Sequence, residues 1–328
     1  MVKLAVLGTG FIANLFLKAA RELSDVSVEA VLAVNEEDAR EFTGKYGISK
    51  GYTDYDQLLD DEEITFIYIG LPNHLHFSYA KKALEHGKNV IVEKPFVSET
   101  SEVDELLETA KNNKRMIFDA IFTRYIPTMN SLKKSLPKVG RIKNVTNTYC
   151  QYSSRFDKVR EGEIPSVFKL ENDGGALKDL GIYSINFLVL LFGKPKTVKY
   201  YANKLENGCD SSGVLIMEYE GFIATSIIAK DSFTENRCTV EGCDGTLFVD
   251  DDCFRFPNVR FRKNKKDDGE LIDTLNIDGM VNEFHYFMKT YQAGDFETCY
   301  LDIERSRVAI EVLKEAAQSA GLVYGKAK

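Results

Sequence analysis

Three side chains in this sequence combine the residue types that move a proton to or from a carbon-bound oxygen: Lys94, within Glu93-Lys94-Pro95, and Asp179 and Tyr183, within Asp179-Leu180-Gly181-Ile182-Tyr183. The residue before a proline is pushed toward extended geometry, so Lys94 is aimed by the backbone and kept out of a helix. The plainer reading of Glu93-Lys94 is a surface ion pair. Asp179 and Tyr183 stand four residues apart and share one helix face. A tyrosine on an apolar helix is usually core. An acid one turn away argues otherwise, because carboxylates are rarely buried without a partner. A free tyrosine titrates near ~10 and is the better donor at neutral pH, whereas a nearby ammonium stabilises tyrosinate.

A second group of residues suits a dinucleotide. Gly8-Thr9-Gly10-Phe11-Ile12-Ala13 follows an apolar run, residues 3–7, and opens a segment of helical periodicity. In that context Gly8 permits a tight turn, and Gly10 lets a pyrophosphate approach the N–H groups of Phe11 and Ile12 at a helix N-terminus. The next strand ends in Ala33-Val34-Asn35. An acid there would accept from the adenosine 2′-hydroxyl and a Ser-Arg pair would bind a 2′-phosphate. Neither reader is present, so Asn35 is the candidate ribose contact and NAD or NADP stays open. Leu71-Pro72-Asn73-His74-Leu75-His76 and then Glu93-Lys94 end later strands, which places Leu71, Pro72, Asn73, His76, Glu93 and Lys94 at the carboxyl edge where open sheets bind ligands. His76 reads as a site residue or as a helix-start packing residue.

The elements that must hold these residues alternate over the first 120 positions. Strand signals at 3–7, 26–34, 64–71, 89–92 and 116–120 are separated by helical signals at 11–23, 36–46, 53–60, 76–86 and 99–112. That rhythm predicts parallel strands joined by right-handed crossovers, a doubly wound Rossmann sheet over residues 1–121. Residues 122–328 then read as an α+β domain with a large, mostly antiparallel open sheet. Its helices are expected at 127–136, 175–192, 281–292 and 303–320. Its strands are expected at 143–152, 197–202, 212–219, 223–230, 237–241, 246–250 and 254–260, in an antiparallel meander. Gly181 thins the 175–192 helix where something approaches closely, and 263–270 reads as a solvated hairpin tip.

Composition narrows the class. The chain has 328 residues, 44% apolar and 28% charged, enough for two cores and too apolar for disorder. Its net charge of −8 gives no electrostatic case for nucleic acid or an anionic membrane. The apolar run at 185–192 is too short to span a bilayer. Six cysteines without a Cys-x-x-Cys pair read as reduced thiols, and His74-x-His76 lacks further ligands, so no metal is expected. The N-terminus runs directly into the glycine loop, unlike a secretory signal, and a cytoplasmic location is expected.

Together the sequence resembles the Gfo/Idh/MocA oxidoreductase family over most of its length. The resemblance is carried by Gly8-x-Gly10-x-x-Ala13, Pro72-Asn73-x-x-His76, Glu93-Lys94-Pro95, Arg124-Tyr125-x-Pro127 and Gly174-Gly175-Ala176-Leu177-x-Asp179-x-Gly181-x-Tyr183-x-x-Asn186. It implies a nicotinamide cofactor, NAD or NADP, with Arg124 joining the cofactor contacts and Lys94, Asp179 and Tyr183 forming the catalytic and substrate-binding set. In that set Tyr183 would hold the proton with Lys94 beside it, or Lys94 would carry it with Tyr183 orienting the substrate, and Asp179 would orient Lys94 or bond a substrate hydroxyl. Many members carry His where this chain has Tyr183. The tyrosine is similar to the glucose–fructose oxidoreductase and dihydrodiol dehydrogenase branches, and points to pyranose, aldose or diol substrates in preference to inositols. The expected activity is hydride transfer between the nicotinamide and a carbinol or carbonyl carbon of a sugar, polyol or diol. The alternatives are a dinucleotide-sensing regulator of the same fold without turnover, and a tightly held cofactor recycled between two sugars. An uncovered sheet face in the second domain suggests a homodimer or homotetramer.

Overall fold

The computed structural model describes residues 1–251, 253, 255, 257–264, 269–274 and 278–325. The chain opens with the alternation its periodicity demands: β1 (Val2–Leu7), α1 (Phe11–Ala20), β2 (Val26–Leu32), α2 (Glu36–Tyr46), β3 (Lys50–Tyr52), α3 (Tyr55–Leu59), β4 (Phe66–Ile69), α4 (His76–Glu85), β5 (Asn89–Glu93), α5 (Thr100–Asn113) and β6 (Ile117–Ala120). The six strands form one parallel sheet in the order β3-β2-β1-β4-β5-β6. The order reverses between β1 and β4, the point at which such sheets bind ligands. Helix boundaries follow local chemistry. Asn35 caps α2 by accepting from the Asp38 N–H, and Gly47 ends it in the left-handed conformation. Asp54 caps α3.

β3 was not foreseen. Lys50-Gly51-Tyr52 has no apolar pattern, and it is strand only because the β2 edge pairs with it. Gly51 lets α2 lie close, since a Cβ there would stand 3.3 Å from the Ala39 Cβ.

The chain continues through α6 (Phe122–Tyr125), α7 (Pro127–Ser135), β7 (Ile142–Cys150) and α8 (Phe156–Arg160). A π turn (Leu177–Gly181) then leads directly into α9 (Ile182–Phe192). The strands β8 (Thr197–Lys204), β9 (Asp210–Tyr219), β10 (Phe222–Ala229), β11 (Arg237–Gly242), β12 (Gly245–Asp250), β13 (Asn258–Lys263) and β14 (Glu270–Thr274) follow, then α10 (Gly279–Gln292) and α11 (Phe296–Ser319). The second sheet is ordered β14-β13-β12-β11-β7-β10-β9-β8.

The expected meander is therefore interrupted. β7, first in sequence, sits in the middle of the sheet and pairs in parallel with β10, from Ile223↔Asn144 to Ala229↔Cys150. The other pairs in this sheet are antiparallel. The expected strand at 254–260 falls partly outside the described residues; the strand there is β13. The hairpin expected at 263–270 joins β13 to β14, and positions 265–268 lie outside the described residues.

The chain divides into two compact units, Met1–Ala120 with Asp278–Arg307, and Ile121–Ile277 with Val308–Lys328. This differs from the expected continuous second domain at 122–328. α10 supplies apolar side chains to the first unit: Phe16 of α1, fully buried, stacks on Tyr68 of β4 at 3.9 Å and lies 4.7 Å from Phe284 of α10. The stretch Leu170–Phe192 is long and apolar enough to cross a membrane by length and composition alone, but most of its apolar window is buried within the protein, as in the core helix of a soluble protein.

The Phe16 cluster yields a stability test. Phe16→Ala removes a ring that both ends of unit one share, and should lower the free energy of unfolding by about 3–5 kcal/mol. Urea denaturation followed by circular dichroism measures it, and a loss below about 1 kcal/mol would contradict a shared core.

Candidate active site

The first unit gathers its candidates at the carboxyl ends of β1, β4 and β5. Gly8 has φ +96°, which only glycine adopts without strain, and a Cβ there would stand 3.0 Å from the Gly70 carbonyl oxygen just beyond β4. Gly10 differs: a Cβ there would meet no atom within 4 Å, so protein packing does not demand a glycine. Gly10 is the N-cap of α1, has no side-chain cap, and no acid stands in the first turn. An uncapped helix N-terminus with open space before it fits a pyrophosphate. Phe11 is 75% exposed beside it, and Val34, past the end of β2, is 91% exposed, so both ends of this edge present apolar surface to a ligand.

Asn35, the candidate ribose contact, caps α2 with its side chain. Its carbonyl oxygen accepts from the Asp38 N–H at 2.9 Å and its amide donates to the Asp38 carboxylate at 3.0 Å. Glu36, Glu37 and Asp38 fill the first turn of α2.

His76 is fully buried. Its Nδ1 lies 2.9 Å from the Pro95 carbonyl oxygen and its Nε2 2.9 Å from the Leu71 carbonyl oxygen. The ring therefore ties the loop of Leu71, Pro72 and Asn73 to the loop of Lys94 and Pro95. Glu93, at the end of β5, is also buried. The Tyr68 hydroxyl donates to its Oε1 at 2.6 Å and the Lys94 N–H donates to its Oε2 at 3.2 Å. Burial pushes the Glu93 carboxyl up to about 7, against opposing hydrogen bonds from Tyr68 and the charge of Lys94. Glu93 thus lies beneath Lys94, which is itself half-buried.

The second unit gathers its candidates around the π turn. Asp210, at the start of β9, is fully buried and accepts from the Leu177 N–H at 2.7 Å and the Tyr200 hydroxyl at 2.9 Å. A Cβ on Gly175, which has φ +109°, would run into that carboxylate, and one on Gly174 would stand 2.6 Å from the Val167 carbonyl oxygen. The Gly174-Gly175 pair is the space in which the turn is seated. Gly175 therefore precedes the helical run expected to begin with it. Gly181 does thin the helix, but what approaches is protein: its Cβ would lie 3.1 Å from Ile228 of β10. Lys178 forms a buried ion pair with Asp173 at 2.7 Å and covers the Tyr324 ring at 4.1 Å.

Asp179 lies within the π turn, a geometry often found at functional sites. Its Oδ2 accepts from the ammonium of Lys230, the residue following β10. Tyr183, in the first turn of α9, is buried and meets Tyr149 of β7 edge-on at 5.8 Å. The parallel β7–β10 pair thus delivers Tyr149 and Lys230 to Tyr183 and Asp179. Arg124 donates to the Asn186 side chain at 3.4 Å, and Asn186 donates back to the Ile182 carbonyl, joining α6 to α9.

Sequence reading missed Lys230, Tyr149, Asp210 and Tyr68. Lys230 carried one faint signal, a single cation closing the apolar run Ile227-Ile228-Ala229. Among the described residues no cluster of His, Cys, Asp or Glu has the arrangement of a metal site.

Glu93 gives a pH test. A folded-state value near 7 lies above the unfolded 4.5, so the protonated carboxyl stabilises the fold below about pH 4.5, and that contribution is lost as pH rises through about 7. Glu93→Gln should gain relative stability across that window by about 3 kcal/mol. Urea titrations at pH 5 and 8 check it; a difference independent of pH would refute a buried, proton-binding Glu93.

Known proteins resemble the chain across both units. Residues 2–120 match the description "Oxidoreductase family, NAD-binding Rossmann fold", and residues 137–248 match the "GFO/IDH/MocA C-terminal domain". The chain is 33% identical to scyllo-inositol 2-dehydrogenase (NADP(+)) of Bacillus subtilis (strain 168) over 99% of its own length and 98% of that protein's. It is 26% identical to trans-1,2-dihydrobenzene-1,2-diol dehydrogenase of Oryctolagus cuniculus, covering 98% and 100%. Levoglucosan dehydrogenase, solved with NADH and levoglucosan, shares the fold with a TM-score of 0.83 at 18% identity, covering 98% and 97%.

Proposed function

The chain belongs to the Gfo/Idh/MocA family of NAD-binding oxidoreductases, and from that premise we propose that it moves a hydride between a nicotinamide and a carbinol or carbonyl carbon of a sugar, cyclic polyol or vicinal diol, with Lys94, Asp179 and Tyr183 as its catalytic set. The observation that carries the site assignment is the π turn. It places an acid held by a buried ammonium one turn before a buried tyrosine, and core packing has no need of that arrangement.

When bound, the dinucleotide supplies the hydride acceptor or donor. Gly8, Gly10, Phe11 and Ile12 would hold its pyrophosphate, and Leu71, Pro72, Asn73 and the loop bearing Lys94 would line its nicotinamide side. The chain's own residues manage the proton. On oxidation Lys94 or Tyr183 would take the proton of the carbinol hydroxyl, and on reduction would return it to the carbonyl oxygen. Lys94 would hold that oxygen, and Asp179 would accept from a neighbouring substrate hydroxyl. Tyr183 had pointed away from inositols, but a relative at 33% identity is named for scyllo-inositol, so cyclic polyols belong in the substrate class. A dinucleotide-sensing regulator would have no use for this proton relay, and the named relatives are enzymes.

Absorbance at the nicotinamide band, screened over inositols, aldoses and vicinal diols, identifies the substrate. Lys94→Ala and Tyr183→Phe should each lower turnover by about 10²–10⁴-fold while dinucleotide affinity changes little. Near-normal turnover in both would overturn the assignment.

We further propose that the coenzyme is NAD. A 2′-phosphate beyond Ala33-Val34 would face Glu36, Glu37 and Asp38 with no cation supplied by Val34 or Asn35. Each close carboxylate would oppose it by about 1 kcal/mol or more. Dissociation constants from protein fluorescence quenching should favour NAD over NADP by at least about tenfold, although the B. subtilis relative is named for NADP(+). Equal or tighter NADP binding would refute this.

Six cysteines, five of them buried and none in a disulfide, suit a reducing compartment, and the proposal puts the enzyme in the cytoplasm. Tyr201, Val214, Ile223 and Ile227 expose one apolar face of β8, β9 and β10, the surface through which a homodimer or homotetramer would form.

A further inference from the structure

Lys230 carries a role that neither the sequence pattern nor the proposed proton relay assigns. Its backbone is held on both sides at the carboxyl end of β10: its N–H donates to the Ser211 carbonyl at 2.8 Å and its carbonyl accepts from the Ser153 N–H at 2.9 Å. Its side chain is 5% exposed, whereas that of Asp179 is 39% exposed. The ammonium therefore lies behind the carboxylate, on its protein side. Among the described residues Asp179 is its one hydrogen-bonding side-chain partner, and the Phe168 ring lies 5.1 Å away.

A buried ammonium needs a counter-charge, and a carboxylate beside it is held ionised. The other titratable groups around it cannot take that place equally. Asp210 is occupied by Leu177 and Tyr200, and burial pushes its carboxyl up; Cys209 is a buried thiol pushed up to about 12; Asp231 accepts from the hydroxyls of Ser211 and Ser212; Cys150 is likewise raised by burial. Lys178 is committed to Asp173.

We propose that Lys230 is a positioning residue for the reaction, a buried ammonium that keeps the Asp179 carboxylate ionised and in one orientation. The inference rests on the assignment of Asp179 to the reaction site. Asp179 is then a fixed hydrogen-bond acceptor and not a proton carrier. Lys230 acts only through it, because Asp179 stands between the ammonium and solvent.

The test uses the full chain with Lys230→Met, Lys230→Arg and, should the methionine variant not fold, Lys230→Gln. Carboxyl carbon resonances of protein labelled at aspartate are titrated, and Asp179 is identified by its loss in Asp179→Asn. The Asp179 midpoint should rise by about one pH unit or more when the charge is removed and stay near the native value in Lys230→Arg. With myo-inositol, D-glucose and trans-1,2-cyclohexanediol as probe substrates, Lys230→Met should lower kcat/KM at least about tenfold and move the acid limb of its pH profile upward. NAD affinity, read by fluorescence quenching, should be unchanged. An Asp179 midpoint unaltered in the neutral variants overturns the proposal. If Lys94→Ala abolishes turnover while Lys230→Met matches the native enzyme in both readouts, positioning by Lys230 fails and the catalytic reading stands. If Lys94→Ala and Tyr183→Phe retain turnover, the catalytic reading fails, and the role of Lys230 in the reaction falls with it.

Discussion

The π turn that carries Asp179 depends on one close approach: the buried carboxylate of Asp210 against the bare backbone of Gly174 and Gly175. That carboxylate accepts the Leu177 N–H and so seats the first residue of the π turn. A side chain at either glycine would drive the turn away from β9. The cost of burying Asp210 shows in its raised carboxyl, and is offset by the hydrogen bonds from Leu177 and Tyr200. Asp179 and Tyr183 inherit their positions from this contact, because each lies within two turns of it along the chain.

The two units solve the same problem by different means. In the first, parallel strands stop at one edge, and the glycine loop, the Leu71 loop and the Lys94 loop are all strand endings there. His76 and Glu93 are buried polar groups that fasten those endings to each other and to β4. In the second, a sheet that is otherwise antiparallel contains one parallel pair, β7 with β10. Parallel neighbours end on the same side, so this pair brings the aromatic Tyr149 and the cation Lys230 to the same helix. An uninterrupted meander would have sent their ends in opposite directions.

How much of this was legible depends on the range of the interactions involved. α2 is bounded by Asn35 and Gly47, and both act within a turn of their own positions, so its limits could be read directly. β3 could not, because Lys50-Gly51-Tyr52 is strand only through its β2 neighbour. The helix expected at 175–192 begins later and carries a π turn, because Gly175 is held outside it by a residue 35 positions away in sequence, Asp210. The grouping of Asp278–Arg307 with the first unit was invisible for the same reason: Phe284 looks like any amphipathic helix residue until Phe16 is found against it.

By itself the sequence determined the Rossmann alternation, the glycine loop at the end of the first strand, and the residue types Lys94, Asp179 and Tyr183, because each is written in spacing that acts over one turn or one strand. Only the tertiary structure decided that β7 lies mid-sheet beside β10, that His76 fastens two loops, and that Asp179 is paired with Lys230. Those outcomes join residues from 5 to 79 positions apart, as in His76 with Leu71 and Ile223 with Asn144. Which distant partner wins is settled by packing the whole core, and local spacing carries no record of it.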